Sequence, residues 1–204
     1  MRWLTDSLPF LGGSDGPELT GSGLLLRPPM MADFPAWVSL REASRDFLIP
    51  WEPIWPADDL TRSAFRRKLA QVQLEARDES GFSFLIFAAD QGDLLGGITL
   101  SNIRRRAAQT ATLGYWMGER HAGKGHMTKA VRLLAHFSFL EMKLDRVEAA
   151  CLPENHASVR VLEKAGFRRE GYARGYLAIA GRRRDHLLYG LLKADFFPPD
   201  SHQS

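Results

Sequence analysis

A single cysteine, Cys151, stands among 204 residues, so no internal disulfide framework can form and a reducing cytoplasm is the expected compartment. No apolar run approaches the roughly 20 residues of a membrane span. The opening MRWLTDSLPFLGG has one early arginine and a short, interrupted apolar stretch, which makes a poor secretory signal. Net charge is scarce as well: 27 Lys and Arg against 24 Asp and Glu leave +3, too little for a broad nucleic-acid-binding face. The clusters Arg66-Arg67-Lys68, Arg104-Arg105-Arg106 and Arg182-Arg183-Arg184 read as solvated turns or helix faces. Attraction to an anionic cofactor or an RNA-bound substrate is the sharper alternative. No nucleic-acid motif accompanies them, so direct nucleic-acid binding is not expected. His121 and His126 are five apart, and Cys151 has no cysteine partner, so no metal site is expected.

What is present is an ordinary globular composition, 45% apolar and 25% charged, most simply one domain. The expected division is an N-terminal extension over 1–20, one domain over 21–195 and a tail over 196–204. Residues 12–23, rich in Gly, Ser and Pro, read as a loop. Strands are expected over 24–27, 82–89, 94–100, 110–117, 146–152, 171–179 and 183–192. Helices are expected from an Asp33 cap to about Ser44, over 61–77, over 125–142, and from Asn155 to a stop at Gly166. The stretch 47–56, FLIPWEPIWP, is interrupted by three prolines and is expected to be irregular. Strand, two helices, three strands, helix, strand, helix and two strands make a mixed α/β sheet that is not doubly wound.

The densest signal is LGYWMGERHAGKGHMTKA, residues 113–130. An alternating apolar run ends at Gly118, a loop carries Arg120, Gly123 and Gly125, and an amphipathic helix follows directly. Bare glycines let backbone N–H groups approach an anion, and the helix end adds about half a positive charge. The loop is neither a Walker A sequence nor GxGxxG. Some 30 residues on, Asn155-His156-Ala157-Ser158 opens a helix that closes with Leu162-Glu163-Lys164-Ala165-Gly166-Phe167. Arg-x-x-Gly-x-Gly after an aromatic strand, then N-x-x-S with L-x-K-x-G-F, resembles the GNAT N-acetyltransferases. FLIPWEP, NHASVRVLEKAGF, EGYARGYLAIAG and RRDHLL narrow the likeness to the RimJ/RimL-type ribosomal-protein-alanine N-acetyltransferases, in particular the type acting on the N-terminal alanine of ribosomal protein S5.

The resemblance implies an α/β (α+β) fold of the GNAT type. Its mixed, mostly antiparallel seven-stranded sheet is flanked by helices, with strands splayed for acetyl-CoA as cosubstrate and no metal expected. It implies direct acetyl transfer in a ternary complex to an α-amine, most simply a protein N-terminus such as that of a ribosomal protein, by a monomer or homodimer. The pantetheine arm would add along Tyr115, Trp116 and Met117, the splay arising at a bulge, with a backbone N–H near Met117 polarising the thioester. The pyrophosphate would sit on His121, Ala122, Gly123, Lys124, Gly125, His126 and Met127, with charge from Arg120 and Lys124. Asn155 would contact the pantetheine, and Arg160 or Lys164 would reach the nucleotide end. Many relatives carry a Tyr where this chain has Leu162, so Ser158 is the candidate that protonates the departing thiolate. Glu52 is the candidate base and Tyr176 a candidate for the acceptor cleft, while Glu119 and Cys151 read as structural. Some N-terminal acetyltransferases of this type carry an acidic residue in the strand after the second motif, where this chain has Gly175. Two other functions share these motifs: acetylation of a small amine (a polyamine, an aminoglycoside, an amino acid derivative), and CoA binding without catalysis.

Overall fold

The structure, a computed structural model, describes residues 16–197; most of the expected extension and tail lies outside them. The stretch expected as a loop before Leu24 carries a strand instead. β1 (Leu19–Gly21) turns at Ser22 and Gly23, with φ of 54° and 79°, and pairs back onto β2 (Leu24–Arg27). Two successive left-handed residues make a hairpin turn whose twist matches its strands. The sheet therefore has eight strands where seven were expected.

α1 (Phe34–Ala43) follows a 3-10 turn, but Asp33 does not cap it as expected. Its carboxylate takes the Arg27 guanidinium at 2.8 and 2.5 Å and the Met30 N–H at 2.7 Å. The proline-rich linker is also more regular than expected. It continues as α2 (Arg45–Leu48) and a 3-10 turn at Ile49–Trp51. Pro50 sits in the first positions of that turn, where a missing N–H leaves nothing unpaired. α3 (Arg62–Arg77) starts at Thr61, whose Oγ1 accepts the Ala64 N–H at 3.1 Å.

The remaining expected elements fall close to their places: β3 (Phe82–Ala88), β4 (Leu94–Arg104), β5 (Thr110–Met117), α4 (His126–Leu140), β6 (Arg146–Cys151), α5 (His156–Ala165), β7 (Arg168–Ile179) and β8 (Arg182–Leu192); a short α6 (Lys193–Phe196) follows that was not expected. The order across the sheet is β1-β2-β3-β4-β5-β6-β8-β7. β5 and β6 run parallel, and the other pairings are antiparallel.

β3 is apolar on both alternating faces because both faces are covered. Phe84 and Ile86 belong to the larger core with Leu134, Leu162 and Leu191, under α4 and α5. Leu85 and Phe87 belong to a second core with Trp37, Leu40 and Phe65, under α1 and α3. Burying each such side chain contributes roughly 1.5–3 kcal/mol, which outweighs local propensity and fixes β3 mid-sheet. One close approach orders the second face. A Cβ on Gly97 would lie 2.4 Å from Trp116 Nε1, so only a glycine lets that indole lie across β4.

The arginine clusters are largely paired. Arg67 meets Asp58, Arg104 meets Glu148 at 3.1 Å, Arg105 meets Glu79 at 2.9 Å and Arg184 meets Glu154. Among the described residues no helix is long and apolar enough to cross a membrane.

Candidate active site

β5 and β6 pair only from Thr110 to Leu113 against Arg146 to Ala149. Beyond Leu113 the two strands part. The edge of β5 from Gly114 to Met117 is left without a partner on that side, and a cavity of about 710 Å³ opens in the gap. The pleat decides which groups face it. Gly118 N–H turns to Leu95 C=O at 2.9 Å, toward β4. Successive residues alternate, so the N–H groups of Met117 and Tyr115 point the other way, into the cavity. The bulge expected at this split is not there. The register shifts lie between Ile86 and Phe87 on β3, between Ser101 and Arg104 on β4, and on β7 between Arg169 and Gly171 and between Ala173 and Leu177. The opening follows from the end of the parallel pairing, and Tyr115 spans it to α5.

The glycine loop continues from β5. A 3-10 turn at Glu119–His121 leads to Gly123 (φ 76°) and Gly125 (φ 81°), the residue before α4. Lys129 N–H makes the bond to Gly125 C=O at 3.2 Å that closes the first turn of α4, which leaves the preceding N–H groups available to an anion. His121 is held below its ordinary pKa by burial and by the Arg120 and Lys124 charges. The loop therefore favours a neutral imidazole and keeps its positive charge on the two flexible side chains.

At the cavity's centre the Tyr115 phenol lies 2.7 Å from Ser158 Oγ. The Ser158 N–H donates to Asn155 Oδ1 at 3.0 Å, the expected cap. Burial pushes the Tyr115 phenol and the Cys151 thiol above their ordinary values, with Ser158 opposing both shifts. Cys151 is buried in the wall beside them, as a small apolar residue would be.

Across the sheet the linker closes the cavity. Glu52 accepts Arg41 Nη1 and Nη2 at 2.8 and 2.7 Å and Trp55 Nε1 at 2.7 Å. The guanidinium lies 4.1 Å above the Trp55 ring and 4.9 Å above the Trp116 ring. Glu52 C=O also takes Ala180 N–H at 2.9 Å, tying the linker to the β7–β8 turn. The sequence by itself gave Arg41 no role in the site. The signal was present as an arginine in an otherwise apolar set.

Of the residues expected in the site, Glu52, Tyr115, Trp116, Met117, His121, Ala122, Gly123, Gly125, His126, Met127, Asn155, Ser158, Arg160 and Lys164 line this one cavity. Arg120, Lys124 and Tyr176 are not part of its lining. Arg120 Nε donates to His121 Nε2 at 2.9 Å. Tyr176 is 44% exposed, and its ring stands edge-on to His186 at 5.6 Å. Gly175, at the position of the missing carboxylate, lies in a bulge of β7 with φ 53°, its N–H held by Asp185 Oδ1 at 2.6 Å. His186 lines the cavity and was missed, because nothing in the sequence says which face of its strand it occupies. Among the described residues, no group of three or more His, Cys, Asp or Glu is placed to hold a metal ion.

A sheet split between two parallel strands, with a glycine loop and helix N-terminus at its mouth, is the architecture of an acyltransferase site. Residues 23–168 match the family model described as the acetyltransferase (GNAT) domain, and the chain belongs to that family. It is 38% identical over 177 residues to the Bacillus subtilis (strain 168) protein named probable N-acetyltransferase YjcK, covering 87% of this chain and 98% of that one. It is 31% identical over 183 residues to the ribosomal protein uS5-alanine N-acetyltransferase of Escherichia coli (strain K12), covering 89% and 93%. The structure of Mycobacterium smegmatis RimJ in complex with CoA-disulfide matches with a TM-score of 0.82 at 32% identity, covering 90% and 88%. The chain is an N-acetyltransferase of the GNAT fold, similar to the RimJ/RimL type.

Proposed function

We propose that this enzyme moves an acetyl group from acetyl-CoA to an α-amine, with a protein N-terminus of the ribosomal-protein-alanine type as acceptor. The observation that carries the reading is the unpaired edge of β5, which offers Tyr115 and Met117 main-chain groups to an arm bearing amides. Acetyl-CoA supplies the activated acyl group as a thioester. Residues of this chain do the rest. The N–H groups at the start of α4 hold the diphosphate, and the Met117 N–H holds the carbonyl oxygen as charge develops on it. Burial keeps the Tyr115 phenol protonated, so it can donate to Ser158 Oγ and leave the seryl hydrogen for the departing sulfur.

Acceptor chemistry supports an N-terminus. An α-amine with pKa of about 7.8 is roughly one-seventh neutral at pH 7, and a lysine at about 10.4 is neutral about once in 2500, a gap of about 3.5 kcal/mol. A site without a strong base therefore suits the α-amine. The acidic residues in the cavity lining, Glu52 and Glu154, are each engaged by an arginine, Arg41 and Arg184. That leaves little to recognise a polycation. Glu52 on this reading positions the linker and does not take the proton.

The test is mass spectrometry of the products when acetyl-CoA is offered a pool of short peptides with every N-terminal residue, lysine-bearing peptides blocked at the α-amine, and common small amines. Acetylation confined to free N-termini, strongest for Ala or Ser, is the expected result. Acetylation of small amines alone refutes the acceptor assignment. CoA binding with no product points to the non-catalytic alternative.

A further inference from the structure

We propose that His186 is the group that takes the proton from the acceptor amine, an inference that rests on the acetyl-transfer reading. Along β8, Leu187, Tyr189 and Leu191 point into the larger core under α4 and α5. Alternation sends His186 to the opposite face, where the linker closes the cavity. It is 2% exposed, yet it lines that cavity together with Glu52 and Ile179. Ser158 lines the same cavity from α5, which packs on β6 over the opposite face of the sheet.

The tautomer is set by the backbone. His186 Nδ1 lies 3.0 Å from Arg184 C=O. A carbonyl only accepts, so Nδ1 carries the hydrogen and Nε2 bears the lone pair. Nε2 has no hydrogen-bond partner among the described residues, and it is not among the side-chain atoms sealed from solvent without one. The Tyr176 ring, at 61° to the imidazole, holds its plane. This gives Tyr176 a positioning role from outside the cavity.

The competing groups around the imidazole are engaged or poorly suited. From the linker, Glu52 accepts three hydrogen bonds. Glu154 and Arg184 pair at the mouth. From β6, the Cys151 thiol is pushed up by burial and holds its proton. His156, the first residue of α5, is exposed. Imidazole is the side chain most used to take a proton near neutral pH. In the reaction, Nε2 accepts one proton from the ammonium, and the freed pair forms the C–N bond. The C–S bond breaks, and the sulfur leaves with its electron pair and the Ser158 hydrogen. The nitrogen's second proton restores the Ser158 hydroxyl, and the imidazolium releases its own to solvent. Ammonium and thioester thus give amide, thiol and one proton.

The experiment compares kcat/KM against pH from 6 to 9 for the wild type and His186→Gln with an alanine-terminated peptide, alongside CoA binding by calorimetry. Glutamine keeps a hydrogen-bonding amide and cannot take the proton. The expected result is a loss on the order of 10²–10⁴-fold at neutral pH, unchanged CoA affinity, and a residual rate that climbs with pH as the amine arrives neutral. His186→Ala partly rescued by added imidazole is expected too, and it decides the matter if the glutamine variant unfolds. Wild-type kcat/KM and pH profile in H186Q, or no rescue in a folded H186A, overturn the role of His186. A wild type that acetylates only small amines defeats the acceptor reading alone, and the same comparison on that amine still decides His186. A wild type that transfers to nothing overturns both.

Discussion

Replacing Glu52 by Gln separates the two roles open to a carboxylate in this linker. In the wild type Oε1 accepts Arg41 Nη1 at 2.8 Å, while Oε2 accepts Arg41 Nη2 and Trp55 Nε1, both at 2.7 Å. An amide keeps one acceptor and turns a donor toward a donor, so one charge-assisted bond is lost. Such a bond contributes about 1.5–3 kcal/mol. The Glu52 side chain is 20% exposed, so water takes up part of the loss and the lower end applies, about 1.5–2 kcal/mol. At about 2–4 °C per kcal/mol for a chain of this size, the thermal midpoint should fall by about 3–8 °C. The Arg41 stack on Trp55 and Trp116 loosens with it, as does the bond to Ala180. KM for the acceptor should therefore rise more than kcat falls. Thermal unfolding followed by circular dichroism, with steady-state kinetics on the same preparation, reads both effects. A variant that keeps the wild-type midpoint yet loses two decades of kcat would refute the reasoning, because the carboxylate would then act in the chemistry.

Three further outcomes are expected. Gly97→Ala places a methyl 2.4 Å from Trp116 Nε1, and the displaced indole should cost about 1–3 kcal/mol by denaturant titration; an unchanged midpoint would mean that the ring moves freely. Ser158→Ala should leave CoA binding near wild type and lower kcat about 10²-fold, and unchanged turnover would remove Ser158 from the mechanism. Asp185 accepts the Tyr172 hydroxyl and the Gly175 N–H, which hold its carboxyl below the usual carboxylate range. A folded pKa below the unfolded one lends stability that is present above about pH 4 and is lost as pH falls through the folded value. D185N should therefore melt below the wild type at neutral pH and alongside it in strong acid, and an equal gap at both would contradict the assignment.

Much of the fold was legible because its signals are local. The Asn155 cap, the Gly166 stop and the doubly apolar run at Phe82–Ala88 each lie within one element, and each folds as read. The misreadings came from local rules overridden by neighbours. Asp33 looks like a helix cap until Arg27 takes its carboxylate. Residues 19–21 look like loop until β2 offers them an edge. The loop, strand end and helix start proposed to hold the cofactor were legible for the same reason as the helices: they are consecutive in the chain.

By itself, then, the sequence determined the order of β2 to β8 and of the four longer helices, the glycine loop and the GNAT family, because periodicity, capping and backbone N–H placement act over a few residues. Only the tertiary structure decided which distant residues meet around the cavity. Glu52 is engaged by an arginine 11 residues away and Tyr115 meets a serine 43 residues on. His186 reaches the cavity because β8 is registered against β6 and β7. Such meetings depend on which face a strand presents and which element folds over it, and burial in the assembled sheet sets both.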